Sequence, residues 1–236
     1  MDGGATAGKG PCACCDDGRM RAWVVTTVKP LAVAKRRLRA AGLPIPHDRL
    51  VVAMVQDTLR AALACPLVAV VLVVTDDLHV RRAAAAIGAQ VVPDTPAAGL
   101  NAALRHGAAL AGVDRWRVAL AADLPALRAD ELAAALRAAA TVPDRRAFVA
   151  DAEGSGTTLL AAPPGLPLDP RFGPGSAVAH AVAGARRLGD RDAEWPSLRR
   201  DVDTHADLVE AGRLGLGPHT AAVYGDSRSK RAETGG

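Results

Sequence analysis

Val68–Val74 is an unbroken run of Val, Leu and Ala, apolar at every position. A strand with one face in water alternates between apolar and polar residues. One that does not alternate is covered on both faces, as at the centre of a mainly parallel sheet. Parallel neighbours need long crossovers, and the rest of the chain supplies them. Ala22–Val28, Val68–Thr75, Gln90–Val92, Trp116–Ala121, Phe148–Ala150, Thr157–Ala162 and Leu198–Val202 read as strands. Between and beyond them, Asp48–Ala64, Asp77–Ile87, Pro96–Ala111, Arg128–Ala140, Ser176–Leu188 and Thr204–Leu214 read as helices. The longest shows its period in Leu50, Val51, Met54, Val55, Leu59 and Ala62, while Gly88 and Gly112 supply stops and Ser176 an N-cap. Strands alternating with helices of this length predict an α/β architecture with right-handed crossovers. No repeat or linker divides it, so a single domain is expected over 20–224. Polar segments at 1–19 and 225–236 are expected to be disordered tails.

Half of the 236 residues are hydrophobic, which excludes a disordered chain. No apolar run approaches the roughly 18–20 residues of a membrane helix. The net charge of +4 is dispersed and aromatic residues are 3% of the chain, so neither a basic stripe nor a stacking surface for nucleic acid exists. The basic residues are skewed: of 29 Lys and Arg, only Lys9, Lys29, Lys35 and Lys230 are lysine. Two of these sit near the ends; the other two share one segment. Cys12, Cys14 and Cys15 lack a second pair of ligands at zinc spacing, and Cys65 reads as a core residue. With no apolar leader segment and no cysteine framework, a reducing cytoplasm is the expected setting.

In open α/β sheets, ligands bind beyond the carboxyl ends of the strands. The loop after the first strand carries Lys29, Lys35, Arg36 and Arg37, cations suited to phosphate, without the glycine pattern of a Walker A loop. Pro93–Asn101, with Gly99 and Asn101, is either turn chemistry or a nucleoside contact. Asp123 ends the apolar Val118–Ala121; a carboxylate there is costly unless paired or bound to a cation such as Mg²⁺. Alternation along Asp201-Val202-Asp203 puts both acids on one face, where Asp203 serves as a second metal ligand or caps the next helix. Gly154–Thr158 and Arg171–Ser176 are either flexible turns or a second anion site built from backbone N–H groups. Two anion sites and a pair of acids suit transfer between two phosphate-bearing molecules.

Taken in order, Val28-Lys29-Pro30-Leu31-x-x-Ala34-Lys35-x-Arg37-Leu38, Gly99-Leu100-Asn101, Ala122-Asp123-Leu124-Pro125, Gly156-Thr157-Thr158-Leu159-Leu160, Phe172-Gly173-x-Gly175-Ser176 and Asp201-Val202-Asp203-Thr204 resemble the phosphoenolpyruvate/2-phospho-L-lactate guanylyltransferase family of coenzyme F-420 biosynthesis. The resemblance spans about Met20 to Leu216. It implies a Rossmann-like nucleotidyltransferase fold (the nucleotide-diphospho-sugar-transferase type), with a mostly parallel mixed sheet and helices on both faces. It implies transfer of a guanylyl group from GTP to a three-carbon phospho-acid, with release of diphosphate. By the same resemblance, Thr158, Gly173 and Ser176 hold phosphoenolpyruvate. Asp123 and Asp203, with Asp201, hold Mg²⁺; Lys29 and Lys35 face the GTP phosphates; Gly99 and Asn101 line the nucleoside pocket. Lys29, Lys35 and Asp123 are then the catalytic set, and none of the six His has a catalytic role. Phosphoenolpyruvate is the favoured acid over 2-phospho-L-lactate and 3-phosphoglycerate. A cytidylyl or molybdopterin-type transferase on the same fold, and a non-catalytic nucleotide-binding protein, are the alternatives. The resemblance also implies handover of product to the next pathway enzyme and is compatible with a homo-oligomer. Arg36 departs from the family pattern, which has a small polar residue there, and the cysteine-containing N-terminal segment has no counterpart.

Overall fold

The computed structural model describes residues 20–225 except 33, 96 and 190–193. The expected N-terminal tail with its three cysteines, and the C-terminal tail beyond Gly225, lie outside the described residues. In chain order the elements are β1 (Ala22–Thr27), α1 (Arg36–Ala40), α2 (His47–Ala64), β2 (Val68–Val74), α3 (Leu78–Ala86), β3 (Gln90–Val92), α4 (Leu100–Leu110), β4 (Arg117–Leu120), α5 (Ala129–Ala140), β5 (Ala147–Ala150), β6 (Thr157–Ala162), α6 (Ser176–Val182), β7 (Arg186–Leu188), α7 (Pro196–Arg199) and α8 (His205–Leu214). Among the described residues no helix is long and apolar enough to cross a membrane.

The strands form one seven-stranded sheet in the order β3-β2-β1-β4-β6-β5-β7. β6 runs antiparallel to both of its neighbours, and every other pairing is parallel. This single reversal brings the amino end of β6 to the same sheet edge as the carboxyl ends of β1, β4 and β5. Alternate residues of the central strands feed two apolar layers. Val24, Val73, Val118 and Leu159 pack with Met54 and Leu59 of α2, Leu136 of α5 and Leu208 of α8 on one face. Val25, Val74, Ala119 and Leu160 pack with Leu104 of α4 and Ala177 of α6 on the other.

The alanine-rich sequence lets helices ride close to the sheet, and Gly107 of α4 marks the closest approach. A Cβ there would stand 2.5 Å from Val25 Cγ1 and 2.9 Å from Val74 Cγ2, both on stiff β-branched side chains. Gly107→Val should therefore destabilise the fold by about 3 kcal/mol through overpacking. Urea denaturation measures this, and an unchanged midpoint would show that α4 can lift off the sheet freely.

Two sequence expectations are corrected. The helix predicted over Ser176–Leu188 stops at Val182, because Gly184 turns the chain in a left-handed conformation (φ 83°). Arg186–Leu188 then pairs in parallel with β5. Leu198–Val202 is not a strand: Pro196 starts the short helix α7, and the chain runs on from it without ladder partners. In addition, α4 begins at Leu100 rather than at Pro96, which lies outside the described residues, and a short helix, α1, follows Lys35.

Candidate active site

Beyond the carboxyl edge of the sheet lies an open cleft of about 930 Å³, lined by Lys29, Lys35 and Asp123 and also by Thr157, Gly173 and Ser176. Asp201 and Asp203 line it as well. Asp123 arrives there because β4 ends at Leu120 and the chain must turn. The segment 201–203 arrives because the Val202 N–H donates to the Asp123 carbonyl at 3.0 Å, which ties it to the end of β4. Val202 is fully buried, so its neighbours Asp201 and Asp203 both turn toward the cleft. The alternation expected of a strand is thus kept in a segment that is not one. Asp203 does not cap α8 with its side chain: Thr204 does so, in a capping box with Asp207.

Carboxylate oxygens of Asp123, Asp201 and Asp203 lie within 4.8 Å of one another. Lys35 reaches between them, pairing with Asp123 and with Asp203 at 2.6 Å, and Arg37 pairs with the other oxygen of Asp203. The Lys35 side chain is 16% exposed. Burial alone would lower its pKa, but the Asp123 and Asp203 charges outweigh this and hold the ammonium above its ordinary value. Asp203 is shifted down despite its burial, because Lys35 and Arg37 stabilise its charge. Among the described residues Asp201 forms no ion pair; burial followed by the Asp123 charge pushes it up to about 7, with the Lys35 charge opposing the shift. Lys35 also has a left-handed backbone (φ 48°, ψ 50°) at the start of α1, a conformation costing of order 1–3 kcal/mol in a non-glycine residue. Such strain persists where surrounding contacts over-determine it, as the ion pairs do here.

A second carboxylate group, Asp151 and Glu153 with the shared Asp201, adjoins the first. Asp151 follows β5 as Asp123 follows β4, and the sequence reading passed over it. Its carboxylate accepts from the N–H groups of Ser155 and Gly156 at 2.9 and 2.8 Å. A Cβ on Gly156 would stand 2.2 Å from an Asp151 oxygen, so this turn requires glycine. The expectation that Gly154–Thr158 offers free backbone donors to an anion is therefore corrected: two of those donors serve Asp151.

Of the other residues that line the cleft, Gly173 is left-handed (φ 137°) and Ser176 is 2% exposed. Thr158 does not line the cleft. Its hydroxyl is buried without a hydrogen-bond partner, at a register shift that leaves Thr157 opposite Ala150. Gly99 and Asn101, expected in the nucleoside pocket, are likewise absent from the lining, where Leu100 and Leu104 stand instead. The Asn101 carboxamide is committed to Phe172, donating to its carbonyl at 3.0 Å and accepting from its N–H at 2.8 Å. His180 of α6 is buried, with ring nitrogens 3.0 Å from the Thr157 hydroxyl and 2.9 Å from the Arg171 N–H.

Burial pushes the His180 imidazole down to about 4 from an ordinary 6.5, with nearby Asp169 opposing the shift and Arg171 and Arg146 adding to it. Its neutral form thus contributes stability that is fully present above pH 6.5 and is lost as the pH falls toward 4, where the unfolded chain binds a proton that the folded one refuses. The loss across that window should be roughly 3 kcal/mol. Urea titrations against pH measure it, and His180→Gln should lack this component.

A MobA-like NTP transferase domain model matches residues 41–172. A phosphoenolpyruvate guanylyltransferase of Salinispora arenicola is 61% identical over 203 residues, covering 86% of this chain and 92% of that protein. The chain belongs to the phosphoenolpyruvate guanylyltransferase family. The Geodermatophilus obscurus relative of the same name is 52% identical over 212 residues, covering 87% of this chain and 95% of its own length. Among solved structures, a nucleotidyl transferase from Methanothermobacter thermautotroptrophicus superposes with a TM-score of 0.57 at 22% identity over 84% of this chain and 98% of that one, a likeness of fold. The protein is a nucleotidyltransferase on the fold of that class.

Proposed function

We propose that the protein transfers GMP from GTP to phosphoenolpyruvate, giving enolpyruvyl-2-diphospho-5'-guanosine and diphosphate, as a step of coenzyme F-420 biosynthesis. The observation that carries the reading is the pairing of Lys35 with Asp123 and Asp203 in the same cleft that Gly173 and Ser176 line. Cations, carboxylates and a glycine-serine segment line one cleft of about 930 Å³, with room for two phosphate-bearing molecules. The names of the relatives at 61% and 52% identity support the choice of nucleotide and acid.

The three carboxylates at the end of β4 offer hard oxygen donors within mutual reach, and they already gather an ammonium between them; both features suit Mg²⁺. Asp123, Asp201 and Asp203 would hold it, and when bound it neutralises phosphate charge and polarises the α-phosphate of the nucleotide. Lys35 and Lys29 would face the β- and γ-phosphates and stabilise the departing diphosphate. Gly173 and Ser176 hold the phospho-acid. One of its phosphate oxygens attacks the α-phosphorus; the new P–O bond forms as the bond to the β-phosphate bridging oxygen breaks, and the electron pair leaves with diphosphate. The nucleophile is already an anion at neutral pH, so no side chain has to remove a proton. Alignment and charge neutralisation supply the rate.

The test incubates the protein with Mg²⁺, each of GTP and CTP, and each of phosphoenolpyruvate, 2-phospho-L-lactate and 3-phosphoglycerate, and identifies products by mass. Enolpyruvyl-diphosphoguanosine as the main product is expected. Turnover with CTP and none with GTP would contradict the reading.

A further inference from the structure

The wall of the cleft that carries Gly173 and Ser176 is the glycine-rich end of the 163–175 connection between β6 and α6 together with the first residue of α6, with Gly173 and Gly175 both at positive φ. Such a segment has little intrinsic reason to hold one shape. Two side chains outside it anchor the residues that lead into it. Asn101 enters from α4 and pairs with both backbone groups of Phe172, at 2.8 and 3.0 Å, as an antiparallel strand would. His180 enters from α6 and accepts the N–H of the preceding residue, Arg171, at 2.9 Å. An Nε2 that accepts leaves the ring hydrogen on Nδ1, from which it donates to the Thr157 hydroxyl at 3.0 Å. The Thr157 oxygen is thereby fixed at the cleft wall, with its own hydrogen free to donate elsewhere. The Phe172 ring packs edge-on against His180 at 5.2 Å, joining the two anchors. Consecutive residues, Arg171 and Phe172, are therefore pinned from two different helices immediately before the chain opens onto the cleft at Gly173.

We propose that Asn101 and His180 are positioning residues for the phospho-acid: they touch neither substrate, and they set the shape of the loop that binds the acid. The proposal rests on the guanylyl-transfer reading above. It separates the two substrates, because the loop borders the acid side of the cleft whereas the lysines and carboxylates of the nucleotide side are held by β1, β4 and the 201–203 segment.

The experiment uses the full chain and the acid among phosphoenolpyruvate, 2-phospho-L-lactate and 3-phosphoglycerate that the unaltered protein consumes. Asn101→Ala and His180→Phe should each raise KM for the acid at least about 10-fold, with KM for GTP changed less than about 3-fold. His180→Gln, which retains an acceptor for the Arg171 N–H, should recover most of the loss. Amide hydrogen exchange of residues 171–175 should quicken in Asn101→Ala while that of β1 and β4 stays as before. If Asn101→Ala does not fold, Asn101→Asp keeps the acceptor for Phe172 N–H, loses the donor, and should show the same selective rise. KM values for acid and GTP that move together, or an unchanged acid KM, would overturn the proposal alone. An unaltered protein that consumes none of the three acids would overturn the functional reading and this proposal with it.

Discussion

Asp123→Asn is expected to lower kcat for guanylyl transfer at least about 100-fold, since a ligand of a catalytic cation contributes several kcal/mol to the transition state. The substitution is nearly isosteric. Among the described residues the carboxylate it removes binds Lys35 and accepts from no backbone N–H, and Lys35 keeps Asp203 as a partner, so the thermal midpoint should fall less than in a variant that loses Lys35 itself. It also removes a negative charge that helps push the neighbouring Asp201 carboxyl up to about 7. A metal-site role therefore predicts lost turnover in a folded protein that still binds the phospho-acid. Calorimetric binding and steady-state rates on the same preparation check this. Retained activity would move the metal site elsewhere, with the adjoining group of Asp151, Glu153 and Asp201 as the next place to look.

Lys35→Met is expected to lower kcat by a similar factor for a different reason, and it should also destabilise the protein. The change keeps the apolar stem and deletes the ammonium that Asp123 and Asp203 share. The pair is mostly but not fully buried, so the cost should fall between the exposed and buried limits, at roughly 1–3 kcal/mol. Added Mg²⁺ should restore the thermal midpoint by supplying the missing positive charge, without restoring turnover, because the diphosphate then lacks its lysine. Lys35→Arg should recover the midpoint better than the rate. A planar guanidinium on a left-handed backbone position cannot place a compact charge between two carboxylates and then on a phosphate. Scanning calorimetry and kinetics of both variants check the pair of expectations. An arginine variant with full activity would reduce Lys35 to a generic cation.

That distinction gives a physical meaning to the lysine usage of the chain. Arginine fills nearly every basic position, yet Lys29 and Lys35 stand in the segment between β1 and α1, where both line the cleft.

The central sheet was legible from its most apolar strand: Val68–Val74 carries no polar residue and admits few other readings. What was misread turns on tertiary contacts. Ala185-Arg186-Arg187-Leu188 has helix-forming composition, and only the positive φ of Gly184 and pairing with β5 make it a strand. Leu198–Val202 looks like a strand until Pro196 starts a helical turn. In the site, two local rules, an acid ending a buried strand and alternation along 201–203, singled out Asp123, Asp201 and Asp203 as candidates, and the family resemblance joined them into one set. The first rule applied to Phe148–Ala150 would have found Asp151 as well. Asn101 was misplaced because an asparagine near a strand end reads as a ligand contact, whereas its carboxamide is consumed by Phe172, 71 positions away in sequence. No local signal carries that pairing.

The most direct test of the central claim follows oxygen. Phosphoenolpyruvate labelled with ¹⁸O in its phosphate is incubated with GTP, Mg²⁺ and the protein, and the products are weighed by mass spectrometry after rapid quench. Attack by the acid's phosphate on the α-phosphorus of GTP predicts that all of the label stays in the enolpyruvyl-diphosphoguanosine and that the released diphosphate carries none. Label in the diphosphate, or release of labelled inorganic phosphate in place of the joined product, would contradict it.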